Sequence, residues 1–153
     1  MSVLELKIPP PVVGLLTAAL MYGASRALPE AAIAIPLRVV WAVVLAAAGL
    51  AIDLSALLAF RRHRTTVNPL SPQRASRIVT SGVYRFTRNP MYLGMLLLLT
   101  AWAVVQGNAA AFLGLPLFVV YITAFQIQPE ERVLSAQFGA PYLQYFQQVR
   151  RWI

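Results

Sequence analysis

The chain has 153 residues, of which 59% are apolar and 12% charged, with a mean hydropathy of +0.66. A soluble domain of this length carries about 25% charged residues, so lipid is the expected solvent for most of this chain, and a single domain over 1–153 is expected. The absence of cysteine excludes disulfides, thiolate metal sites and cysteine nucleophiles, and a lone His63 builds no histidine metal cluster, so no metal is expected. The net charge of +8 is assigned to loops kept in the cytoplasm and not to a nucleic-acid interface.

Met1 to Lys7 contains Glu5 and runs into Pro9-Pro10-Pro11, unlike a cleaved signal. A first apolar span is predicted from about Val12 to Leu28. Gly14, Ala18 and Tyr22 share one face of it, with Gly14-Ala18 a small-xxx-small pair suited to close packing. Arg26, Pro29 and Glu30 mark its far end. A second span runs from Leu37 to Phe60, opened by Pro36 and closed by the basic stop Arg61-Arg62-His63-Arg64. Asp53 lies inside it, and the simplest reading pairs it with Arg61 or Arg64.

From Thr65 to Asn89 no apolar run is long enough to cross. A third span is predicted from Pro90 to Val105, with Asn89 as cap and Pro90 as first residue. The uncharged turn Gly107-Asn108 joins it to a fourth span, from Ala109 to Gln128. Pro129, Glu130 and Glu131 then suit the start of a new helix. Gly139 and Pro141 read as a stop and restart, and Tyr142, Tyr145, Phe146 and Val149 recur at amphipathic spacing, for a helix at the membrane interface. Trp41, Trp102 and Trp152 read as interface anchors.

The expected fold is therefore all-α, a polytopic membrane protein with about four transmembrane helices, a cytoplasmic connecting segment and C-terminal amphipathic helices. Lys7 precedes the first span, seven arginines lie between Arg61 and Arg88, and Arg132, Arg150 and Arg151 follow the fourth. An even number of spans puts all three groups on one side, so both termini are expected in the cytoplasm. Only Arg26 and Arg38 fall opposite.

Two polar segments hold enough polar groups to build a site. The first contains Ser81-Gly82-Val83-Tyr84 and Arg88-Asn89-Pro90-Met91-Tyr92-Leu93-Gly94. The second contains Glu130-Glu131-Arg132-Val133-Leu134 and Phe138-Gly139-Ala140-Pro141-Tyr142-Leu143-Gln144-Tyr145. Taken singly, each has a bland reading: arginines against headgroups for the first, and acids decorating a helix N-terminus for the second.

In order and spacing around a helical hairpin, the motifs resemble the C-terminal half of the isoprenylcysteine carboxyl methyltransferase family, which groups with membrane phospholipid methyltransferases. The resemblance implies S-adenosylmethionine as methyl donor, S-adenosylhomocysteine as product, and a lipid or lipophilic small molecule as acceptor. Matched by position, the cofactor region spans 76–94 and 129–153, and the cofactor would be bound by Ile78, Val79, Tyr84, Asn89, Pro90, Met91, Tyr92 and Glu130. Eukaryotic members carry histidine where Asn89 stands, so no titratable chemistry is expected there. They also carry an acceptor-facing arginine where Gln126 stands. Gln126 as a substrate-binding residue then implies an acceptor that is neutral or cationic near its reacting atom. A general base is needed only for a protonated acceptor, and Glu130 and Glu131 both qualify as the catalytic carboxylate. Two rivals stand beside this reading: an NADPH-dependent membrane reductase of the sterol-reductase-like type, and a non-catalytic membrane scaffold.

Overall fold

A computed structural model describes residues 5–63, 72 and 75–153. Arg64 and Arg74, two of the arginines behind the expected orientation, lie outside the described residues. Regular structure among the described residues is helical, apart from a single antiparallel bridge between Ala32 and Asn108.

Helix α1 (Pro10–Ala27) starts on a proline, whose missing N–H costs nothing in a first turn. Gly14 packs close to Met95 and Trp102 Nε1 donates to Ala18 O, so this face does seat on another helix. Helix α2 (Arg38–His63) is 26 residues long, roughly 39 Å, enough to cross a bilayer. Its large side chains, such as Val43, Leu50 and Leu54, point outward, while the small residues Ala42, Gly49, Ala56 and Ala59 are buried. That distribution is inside-out for water and right for lipid, where small residues let helices approach closely.

The stripe of small residues packs along α3 (Pro90–Gln106). A Cβ at Gly49 would fall 2.8 Å from Gly94 O, so the two backbones touch there. Helix α3 ends at Gly107, which takes a left-handed φ of 57° that a glycine adopts without strain. Asn108 Oδ1 then accepts from Ala110 N at 2.8 Å, and its Nδ2 donates to Leu28 O, tying the hairpin to the end of α1.

Helices α4 (Ala109–Phe112) and α5 (Gly114–Ile122), a π-helical stretch (Thr123–Ile127) and α6 (Gln128–Phe138) follow one another along a 30-residue axis, Ala109–Phe138. The new helix expected at Pro129 is instead a continuation. Pro129 has no N–H for the carbonyl four residues back, which is Phe125 O. The ladder widens there into the π stretch, and Phe125 O accepts from Leu6 N at 3.0 Å. The apolar part of this axis ends at Ile127, and Gln128 begins its polar end. After Gly139, α7 (Ala140–Gln148) doubles back, and an extended tail runs to Ile153.

Two helices, α2 and the Ala109–Phe138 axis, are long and apolar enough to cross a membrane. Helix α3 is apolar but has 17 residues, and α1 is less apolar.

Candidate functional site

A cavity of about 440 Å³ opens where the start of α3, the start of α6, α7 and the segment 75–84 converge. The local folding is legible in each wall. Ile78 and Val79 run extended up to Ser81, and Gly82 takes a φ of 63°, turning the chain into a short 3-10 helix that delivers Tyr84 inward. Phe60, at the end of α2, meets the Tyr84 ring edge-on at 5.5 Å. Tyr145 from α7 donates its hydroxyl to Tyr84 O at 2.8 Å. Pro90 starts α3, so Met91 and Tyr92 in its first turn face the cavity.

The paired acids separate into two environments. Glu130 faces the cavity and accepts the Tyr92 hydroxyl at 2.5 Å. Burial pushes its carboxyl up to about 8; the Tyr92 hydrogen bond opposes this and the neighbouring Glu131 adds to it. Glu131 is instead ion-paired twice. Arg88 Nη2 reaches its Oε1 at 2.8 Å, and Arg151 donates through Nε at 3.0 Å and Nη2 at 2.7 Å. The Glu131 bond also raises the Arg151 pKa above its ordinary value.

Arg88 is the hub of the C-terminal closure. Its Nη1 donates to Phe146 O and Val149 O, both at 2.6 Å, its guanidinium stacks 3.9 Å from the Phe146 ring centroid, and its backbone N donates to Arg150 O. Asn89 Nδ2 and Thr87 Oγ1 both donate to Arg151 O. Asn89 stands at the cap position of α3, but its side chain holds the tail and makes no cap bond. The tail is thus fastened to the residues that lead into α3. Tyr142 and Tyr145 turn into the cavity, not to a membrane surface, and burial raises both hydroxyl pKa values.

The structure brings Ile78, Val79, Tyr84, Asn89, Pro90 and Met91 to this one cavity, together with Tyr92, Glu130 and Glu131. Gln126 is not brought to it. It is fully buried in the π stretch, and its Nε2 donates to Ile8 O at 2.7 Å. Sequence reasoning missed Arg88 as a site residue although it opens the first motif, and it missed Tyr142 and Tyr145 although both stand in the last. It also missed Pro9 to Pro11, which form part of the wall with no motif to announce them. Of the two partners expected for Asp53, Arg61 does not reach it and Arg64 lies outside the described residues; its Oδ1 is buried without a hydrogen-bond partner against Gly94.

Comparison with known proteins adds three findings. A family model described as phospholipid methyltransferase matches residues 37–141, from the start of α2 into α7. An uncharacterized protein of Haemophilus influenzae is 48% identical over 63 residues, which is 41% of this chain and the whole of that protein. No solved structure matches.

Proposed function

Since the chain belongs to the phospholipid methyltransferase family, a family of membrane methyltransferases, we propose that it transfers a methyl group from S-adenosylmethionine to a lipophilic acceptor, a lipid or small molecule, at the membrane. The observation that carries the reading is the Glu130 carboxylate, set in a largely apolar cavity and oriented by Tyr92. It is supported by the size of the cavity, within the range of small-molecule sites.

The residues present fit this cofactor on three counts. Glu130 offers a carboxylate for its ammonium. Arg88 Nε, buried and without a hydrogen-bond partner, offers a donor for its carboxylate. Val79, Met91, Tyr84 and Leu134 give apolar and aromatic contact for the adenine. The cofactor supplies an electrophilic methyl group on a sulfonium.

The chain's own contribution is positioning and exclusion of water. Tyr92 fixes the Glu130 rotamer, and the Arg88–Glu131–Arg151 network fastens the tail so that α7 covers the cavity. A dry, aligned site is what a displacement at carbon needs, and positioning supplies most of its acceleration. The engagement of Glu131 leaves Glu130 as the carboxylate with a role at the ligand. The reductase reading has no support in the family, and a scaffold would have no use for a ligand-sized cavity closed over a carboxylate.

The topology we propose has four spans, with α1 and α3 crossing beside the two longer helices and the arginine-rich segments and both termini in the cytoplasm. The charge distribution supports it. Calorimetric titration of S-adenosylhomocysteine into purified protein in detergent tests the cofactor. Wild type should bind, and Glu130→Ala and Tyr92→Ala should each weaken binding more than about tenfold through loss of a charge-assisted contact. Folded variants that bind like wild type would place the ligand elsewhere.

A further inference from the structure

Gly94 is fixed by a neighbour outside the motif that contains it. A Cβ there would fall 2.0 Å from Asp53 Oδ1 and 2.5 Å from its Cγ, so the bare glycine backbone of α3 is the seat of an acid on α2. The seat lies on the seam that leads to the cavity. On α2, Asp53 is followed at helical spacing by Ala56, which packs with Val79, Tyr84 and Met91, and by Phe60, which lines the cavity. On α3, Met91 and Met95 flank Gly94, and both line the cavity.

Asp53 sits within the span, away from its basic end. Arg61 is eight residues on, roughly 12 Å along the axis. Among the described residues no cation pairs with Asp53, and its Oδ1 has no hydrogen-bond partner. The side chain is half-buried, so part of it faces outward from the α2–α3 seam. Burial raises the Tyr84 hydroxyl pKa first, and the neighbouring Tyr145, Glu130 and Asp53 raise it further.

A carboxylate at this depth is costly without a positive partner. Among the described residues the helices around it supply none, and its exposed part faces away from the protein, so the partner comes from the ligand. We propose that Asp53 is the specificity-determining residue for the methyl acceptor, holding the ammonium of a lipophilic amine that reaches it from the outer side of the α2–α3 seam. The proposal takes the word acceptor from the methyltransferase reading; the binding site itself stands on the geometry.

The test is direct binding without turnover, following tryptophan fluorescence of the purified full chain in a neutral maltoside detergent. The probes are hexadecylamine and hexadecanol, equal in chain length and different in charge. Wild type should bind the amine at least about tenfold more tightly than the alcohol, the worth of a charged contact. Asp53→Asn keeps the shape seated on Gly94 and should lose that preference, with S-adenosylhomocysteine affinity unchanged. Equal binding of amine and alcohol by wild type overturns the proposal with no variant needed. So does an undiminished preference in Asp53→Asn. Charge-dependent amine binding in a protein that fails to bind S-adenosylhomocysteine would uphold this site and refute the proposed activity, so the two are separable.

Discussion

Replacing Glu131 with glutamine removes the one anion between Arg88 and Arg151. The Arg88 and Glu131 side chains are only 6% and 10% exposed, so the variant leaves a buried guanidinium without its counter-charge. Removing one partner of a buried pair costs about 3–5 kcal/mol, and the lower end applies because glutamine keeps an acceptor oxygen. The Arg151 arm is 32% exposed and adds at most about 1 kcal/mol. For a chain of this size, a loss of about 3 kcal/mol lowers Tm by roughly 6–12 °C. Glu130→Gln should behave in the opposite way. Its amide oxygen still accepts from Tyr92, so Tm should stay within a few degrees of wild type, while S-adenosylhomocysteine affinity falls more than about tenfold. Thermal unfolding in detergent and calorimetric titration of both variants give the four numbers required. The reasoning is refuted if Glu131→Gln melts with wild type, or if both substitutions cost binding and stability equally.

The raised Glu130 carboxyl gives a pH signature: with a pKa of about 8 it is mostly protonated in the free protein at pH 7 and must lose that proton to face an ammonium. Binding of S-adenosylhomocysteine should tighten from pH 6 to pH 8 and release most of a proton at pH 7, read from calorimetry in buffers of different ionisation enthalpy; flat affinity and no proton release would remove Glu130 from the ammonium. Gly94→Ala should destabilise by about 1–3 kcal/mol through overpacking on Asp53, and adding Asp53→Ala should restore most of the loss, a coupling that independent sites would not show in thermal unfolding. A reporter fused after Ile153 should be active in the cytoplasm; activity on the far side alone would overturn the four-span topology.

The parts of this molecule carried by local signals were legible in the sequence. Helices α2 and α3 begin and end within a few residues of expectation because a proline, a basic stop or the Gly107 turn marks each boundary. The two motifs converge because the tight Gly107-Asn108 turn returns the chain to the side it left. What stayed hidden depends on partners far apart in sequence. Gln126, placed among the ligand residues by position, lies outside this cavity, with its Nε2 held by Ile8 O, 118 residues away. Asn89 looked like a helix cap, but its bond goes to Arg151 O. Pro129 looked like a helix start because proline favours first turns, and nothing nearby in sequence shows that Leu6 would take up the carbonyl it leaves free. Asp53 seemed to need the arginines on its own helix, since the notch at Gly94 exists only once α2 and α3 are packed.

The bond from Leu6 N to Phe125 O, with Gln126 on Ile8 and Arg132 on Glu5, bears on how the protein is made. The residues just before Pro9 to Pro11, which wall the cavity, leave the ribosome before their partners do. Helix α1 can form early, but its leading segment has nothing to dock on until the Ala109–Phe138 axis is in place. The cavity is therefore completed only after that axis has formed, and a nascent chain stalled after α3 would be helical and without a binding site.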